Sequence, residues 1–441
     1  MLPELASSVN DRPRLRSSVG LDPHQDSAAA DLRGLVMKVF AIESESLVEE
    51  DRSLNEMLLL SGSAKYVVSY TGHLLMGSEE AYDKLDADLA AMDYLPIFRE
   101  VGGRQIIHIF SGRVQPAPRP WWPNALLLAL TVISLLMVGT EVAINEIAGL
   151  GAPEAEIEAL IANFFGELWR GIPYAGSLLL ILGAHELGHF FAGRRHKLAV
   201  TLPYFIPAPF TFFGTFGAFI QLRQPMRSRK TLLDIGLAGP LVGLLVAIPI
   251  LYIGLRTSPV DVIQPGLLEG NSFLYALMKT LTFGEFLPNG TYDVYINQLA
   301  RAGWVGLLVT GLNLIPIGQL DGGHVLYSLI GEHARRLYAP LMAAMIGLVL
   351  VTLSTSAIWV LWLVLLLLFG RIYAVPLDNI TPLDPRRRFL AALGLIVFVV
   401  TFVPLPLSPV EGVTLPPGTD SASILLPAAI TLMALFMNRR R

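Results

Sequence analysis

The sequence predicts a small soluble α+β domain followed by a polytopic α-helical membrane domain of about eight transmembrane helices. Three observations predict it. Of the 441 residues only 15% are charged and 53% are apolar, where a soluble domain carries roughly 25% charged residues. The deficit is uneven: residues 1–119 hold 30 of the 68 charged side chains and residues 120–441 the other 38. The second segment also carries long apolar stretches of a length that fits a bilayer core of ~30 Å.

Residues 1–30 mix Ser, Pro, Ala, Asp and Arg without periodicity and are expected to be disordered. From there to about 115 a soluble α+β pattern is expected. GLVMKVFAI (34–42) and AKYVVSYTGHLL (64–75) read as strands, and EEAYDKLDADLAAM (79–92) has apolar residues at helical spacing. YLPIFREV and RQIIHIFSG flank Gly102-Gly103 as a hairpin. VQPAPRP (114–120) is a Pro-rich, stiff connector.

Eight apolar stretches follow, at 121–139, 172–193, 232–255, 299–318, 338–354, 357–373, 389–407 and 422–438. Loop charges test that count. With the first domain inside, the inner loops and C-terminus hold sixteen Lys and Arg, while only Arg170, Arg256, Lys279 and Arg301 fall outside. This positive-inside bias predicts that both termini are cytoplasmic, and the expected setting is a bacterial plasma membrane. The N-terminus, MLPELASSVNDRPRLR, has no apolar core, so no cleaved signal peptide is expected. The predicted domains are thus 1–30, 31–115, a core at 116–375, and a C-terminal pair of helices with a basic tail at 376–441.

Composition excludes several functions. The first 119 residues carry 12 Lys/Arg against 18 Asp/Glu, leaving no basic footprint for nucleic acid. With no cysteine in the chain, disulfides, thiolate metal sites and cysteine nucleophiles are ruled out. A metal site must be built from His, Asp or Glu.

The second apolar stretch ends AHELGHFFAGRRH (184–196). Four residues of helix turn His185 and His189 only about 40° apart, with Glu186 in the same ~100° arc. This is the H-E-x-x-H arrangement, in which two imidazoles bind zinc and the glutamate acts as general base. A polar stripe satisfied by neighbouring helices is the alternative, but a charge at mid-membrane costs ~2.5–3.5 kcal/mol or more and usually marks function.

Zinc in a catalytic site takes three protein ligands and leaves one open position. GLNLIPIGQLDGGH (311–324) supplies a candidate in Asp321, which follows Pro316 and precedes Gly322-Gly323. The second and fourth stretches run in the same direction. His185 and His189 lie about 14 and 8 Å from the inner end of theirs at Arg194, and Asp321 lies at the inner end of its own, so the three can meet at one depth. His324, Glu332, His333 and Asp234 compete as the third ligand.

H-E-L-G-H on one transmembrane helix, with N-x-x-P-x-x-x-L-D-G-G (313–323) on a later one, resembles the site-2 protease type of intramembrane zinc metalloprotease. The resemblance covers roughly residues 120–375. It implies that His185, His189 and Asp321 bind Zn2+, that Glu186 activates a water, and that Asn313 holds the peptide or polarises its carbonyl. FGTFGAFIQL (213–222) looks like the family's membrane-associated strand and DIGLAGPLVG (234–243) like its small-residue third helix. No PDZ-like segment interrupts the second to fourth stretches, which is closest to the branch with a soluble N-terminal domain found in photosynthetic bacteria and chloroplasts.

The expected function is therefore zinc-dependent intramembrane endopeptidase, cutting membrane-spanning protein substrates near the cytoplasmic face. Pro203, Pro207 and Pro209 precede a strand-like edge that could take an extended substrate by β-addition; a re-entrant loop that only packs the bundle is the alternative. The Gly236, Gly239 and Gly243 row reads as close helix packing. A membrane metal transporter and a silent membrane scaffold are the competing functions, but neither accounts for Glu186 between the histidines. The expected partners are those substrates and the lipid bilayer, without nucleic acid; homo-oligomerisation stays open. By position, the acidic N-terminal domain is a candidate to recruit or gate substrate.

Overall fold

The computed structural model describes residues 31–46, 65–263, 266–353 and 358–409. The expectations for 1–30 and for the helix at 422–438 fall outside them. The chain divides into two compact units at Arg113/Val114.

In the first unit, β1 (Phe40–Ser46), β2 (Lys65–Leu74), β3 (Tyr94–Val101) and β4 (Arg104–Ser111) form one antiparallel sheet in the order β1-β2-β4-β3. The β3–β4 hairpin turns at Gly102 and Gly103, which both have positive φ, and its register pairs Val101 with Arg104. Helix α1 (Ser78–Ala90) buries Ala81, Tyr82, Leu85 and Leu89; Tyr82 meets Phe98 of β3 edge-on at 5.2 Å. One expectation is corrected here. Residues 34–37 of the stretch read as a strand belong to a helix over 31–37, and β1 begins only at Phe40. Leu32 and Val36, four apart, are both buried, so helical spacing wins over a run too short to show alternation.

The second unit is helical. Its elements are α2 (Trp122–Gly149), α3 (Glu154–Ala162), α4 (Ile172–Arg195), the hairpin β5 (Tyr204–Ala208) and β6 (Gly214–Phe219), and α5 (Arg229–Arg256). Three short strands follow, β7 (Val260–Val262), β8 (Leu267–Glu269) and β9 (Tyr292–Val294), with α6 (Phe273–Phe283) between the last two. The unit is completed by α7 (Gln298–Asn313), α8 (Asp321–Ile330), α9 (Tyr338–Thr352), α10 (Ile358–Phe369), α11 (Pro385–Thr401) and β10 (Leu407–Pro409).

Among the described residues four helical segments are long and apolar enough to cross a membrane: Trp122–Gly149, Phe164–Arg195, Arg229–Arg256 and Asp321–Thr352. The eight expected are not all reached among the described residues, which leave out the eighth stretch. The fourth stretch yields only the 16 residues of α7, about 24 Å at 1.5 Å per residue, and the sixth only the 12 of α10. Helix α7 ends at Asn313, three residues before Pro316, which has no N–H to continue a helical ladder and biases its predecessor away from helix. Gly318 then takes φ +59°, and a β-carbon there would stand 2.6 Å from the Gly370 Cα. That non-helical turn packs within the protein: Leu314, Ile315 and Ile317 have at most 3% exposure.

The core of the unit lies among α2, α4, α5 and α7, with Tyr174, Leu178, Ile181, Leu251, Trp304 and Leu308 in one buried cluster. The α4–α5 contact is close because Gly188 faces the Ala238 carbonyl. This packing carries α4's C-terminal half, and with it His185 and His189, against α5.

Candidate metal centre

Helix α4 buries His185, Glu186 and His189, with at most 6% exposure each. Asp321 opens α8. The backbone turn at 314–320 sets the carboxylate of Asp321 against the two rings. The three edges of the resulting triangle are nearly equal: 3.1 Å between the two Nε2 atoms, 3.3 Å from His185 Nε2 to Asp321 Oδ2, and 3.2 Å from His189 Nε2 to the same oxygen.

Such a triangle fits a tetrahedral ion. With Zn–N and Zn–O bonds of about 2.0–2.1 Å, neighbouring ligands of a tetrahedron stand about 3.3 Å apart. Among the described residues this is the only group of three or more His, Asp or Glu side chains arranged to hold a metal.

The surroundings set the tautomer. His189 Nδ1 lies 2.8 Å from the Ile235 carbonyl oxygen; a carbonyl can only accept, so Nδ1 carries a proton and, in the neutral ring, Nε2 presents its lone pair. Helix α5 makes room for that ring: a β-carbon at Gly239 would lie 2.1 Å from His189 Nε2. Asn313, at the end of α7, directs its Nδ2 toward His185 Nε2 at 3.4 Å. The Glu186 carboxylate faces the Ile220 backbone amide just past β6, while its Oε2 is buried with no hydrogen-bond partner among the described residues. A cavity of about 60 Å³ opens between Glu186, His185, Asn313, Phe216 and Trp362.

All five sequence-predicted residues meet here. The competing third ligands do not. Asp234 accepts two hydrogen bonds from Arg387, at 2.8 and 2.7 Å, and pairs with His196 at 3.0 Å. Glu332 is engaged by Tyr327 and Arg335, and His333 Nδ1 faces the Ile330 carbonyl. His324 is packed beside Gly236, and its Nδ1 is buried without a partner among the described residues.

Sequence reasoning missed Ile235, which acts through its carbonyl and leaves no trace in residue type. It also missed Phe216 and Trp362 as cavity walls. Trp362 had one signal, its place inside an apolar stretch, where an interfacial tryptophan would sit at an end.

The hairpin beside the site pairs β5 and β6 antiparallel, with Tyr204 opposite Phe219 and Ala208 opposite Gly214. Among the described residues it is a two-stranded sheet. Phe216, Gly217 and Ala218 of β6 line the cavity.

Residues 173–354 match peptidase family M50. The chain is 29% identical over 309 residues to the probable zinc metalloprotease EGY1, chloroplastic, of Arabidopsis thaliana, covering 66% of this chain and 55% of that protein. It is 32% identical over 240 residues to EGY2 of the same plant, 54% of this chain and 42% of that one. Against EGY1 of Oryza sativa subsp. japonica it is 30% identical over 311 residues, 66% and 52%. The chain thus spans about half the length of the curated relatives it matches. No solved structure matches it.

Proposed function

We propose that this protein, whose residues 173–354 match peptidase family M50, is an intramembrane zinc endopeptidase of the site-2 protease type acting on membrane-spanning protein substrates. The observation that carries the reading is the near-equilateral triangle of His185 Nε2, His189 Nε2 and Asp321 Oδ2 beside the unpartnered Glu186 carboxylate oxygen.

His185, His189 and Asp321 would hold the zinc. When bound, the ion would lower the pKa of a water toward neutrality and polarise the scissile carbonyl. Glu186 takes the proton of the attacking water and passes it to the leaving amine; its Oε2 is free to do so because no neighbour occupies it. Asn313 donates Nδ2–H toward the oxygen on which charge develops. Helical peptide bonds are shielded by their own ladder, so a substrate must be extended first. Strand β6, whose residues 216–218 border the same cavity as Glu186, offers backbone groups for that strand addition.

The finer topology belongs to the same reading. With eight spans, both termini fall on the cytoplasmic side, an orientation favoured by the sixteen cations this count places inside against four outside. The relatives above are chloroplastic by name.

The test uses the full chain in lipid vesicles with a model transmembrane substrate. Glu186→Gln should abolish cleavage while stoichiometric zinc stays bound. Undiminished cleavage would overturn the mechanism, and metal flux into vesicles that survives the substitution would turn the reading toward transport.

A further inference from the structure

Arg301 lies in the first turn of α7, where the helix macrodipole disfavours a cation. Its Nε is sealed from solvent and has no hydrogen-bond partner among the described residues. A cation so placed is costly, and helix electrostatics do not explain it. Its contacts point elsewhere. The guanidinium stacks 3.7 Å above the Phe212 ring, and Nη2 donates to the Phe212 carbonyl at 3.2 Å. Phe212 belongs to the connection between β5 and β6.

The same connection is gripped from two other helices. The Tyr174 hydroxyl of α4 donates to the Phe213 carbonyl at 2.9 Å. Ser134 of α2 donates to the Gly214 carbonyl at 2.5 Å and accepts from the Ala208 N–H at 3.2 Å. Gln298, one turn before Arg301, accepts the Tyr174 backbone N–H at 3.2 Å, tying the starts of α4 and α7 together. Glu141, Glu146 and Glu269 supply opposing charge within range of Arg301.

We infer that Arg301, backed by Tyr174, is a positioning residue that holds the tip of the β5–β6 hairpin so that β6 presents its backbone at the Glu186 cavity. This rests on the reading of β6 as the substrate-binding strand. Arginine suits the task because one planar group stacks on the ring and donates to the carbonyl of the same residue. An apolar replacement would remove both holds, and lysine would keep the charge without the planar stack.

The test uses the full chain in lipid vesicles. The chain has no cysteine, so a spin label at Phe210→Cys, 61% exposed at the hairpin tip, needs no other substitution; Leu150→Cys serves as a remote control. Arg301→Gln should mobilise the Phe210 label, leave the Leu150 label unchanged and raise KM at least tenfold, with a smaller fall in kcat. Arg301→Lys should restore part of the KM change. Tyr174→Phe, which removes one hydroxyl, should move label and KM the same way by a smaller factor and so keeps the test open if Arg301→Gln fails to fold. Unchanged tip mobility and KM in Arg301→Gln, with Glu186-dependent cleavage intact in the parent, would overturn the inference alone. A mobilised tip in a chain that never cleaves would support the clamp and overturn the protease reading.

Discussion

His189 donates its Nδ1–H across 2.8 Å to the carbonyl of Ile235, so a ring carried by α4 is oriented by the backbone of α5. Zinc affinity at the proposed site therefore depends on how closely those two helices approach. Gly239, one turn beyond Ile235, is the position that permits the approach.

Gly239→Ala should remove that permission. Its methyl would stand 2.1 Å from His189 Nε2, inside any van der Waals limit, so the ring must leave its hydrogen bond or the helices must part. Loss of a group that orients a metal ligand typically costs 10–100-fold in affinity or activity. Zinc content by elemental analysis, at matched protein and free zinc, should fall by that order. Full zinc occupancy and full activity in Gly239→Ala would contradict the role given to α5.

Metal removal should be reversible. A chelator that strips zinc should abolish cleavage, and added zinc should restore it. Because the three donors come from α4 and α8, binding should also raise the unfolding midpoint. At a free concentration 100 times Kd the linkage is worth about 2.7 kcal/mol. The His189→Ala variant should show no such zinc-dependent shift. A midpoint indifferent to zinc in the parent chain would count against the triangle as the binding site.

The legible part of this site is the part written in local spacing. Two histidines four apart, with a glutamate between, must share a helix face, and a fold adds only the partner they face. Asp321 was accessible through depth, since the eight-span reading has both segments running the same way. What stayed hidden depends on long-range placement. Lys279 and Arg301 read as loop cations, yet Lys279 is fully buried between Glu269 at 3.1 Å and Asp293 at 2.9 Å. The lengths of α7 and α10 were overread for a related reason: apolarity reports burial in lipid or in protein alike, although Pro316 and Gly318 mark where the backbone can leave the helix. Residues 31–37 show the same ambiguity on the scale of two turns.

The buried triad has its own consequence. Lys279→Met would leave Glu269 and Asp293, at most 8% exposed at their side chains, without their cation. Breaking a buried pair on one side costs about 3–5 kcal/mol, whereas Arg335→Met, at a pair about half exposed on both sides, should cost no more than ~1 kcal/mol. Thermal unfolding in detergent separates the two. The pH dependence has a definite sign. Burial pushes the Glu269 carboxyl above its usual 4.5, against the pull of Lys279. Without the ammonium the rise is larger, so the folded state holds a proton that the unfolded chain has released. Stability then grows as pH falls from neutrality toward 4.5, and the deficit of Lys279→Met relative to the parent should narrow over that range. A deficit that widens on acidification would show that the triad is not the source of the loss.

Asn313 separates binding from chemistry. Its Nδ2 lies 3.4 Å from His185 Nε2, too far for a strong bond, and its side chain borders the cavity shared with Glu186. It is outside the donor triangle, so Asn313→Ala should leave zinc content unchanged. A donor aimed at developing charge is worth about 10²–10³ in kcat, and the loss here should approach the lower figure. Asn313→Asp keeps the shape but replaces the amide donor with a second carboxylate on the cavity that Glu186 lines, so it should be no better than alanine. If the amide only holds the His185 ring, both variants should instead lose zinc in proportion to activity. Metal content measured on the samples used for kinetics therefore decides between a group that steadies a ligand and one that acts on the substrate.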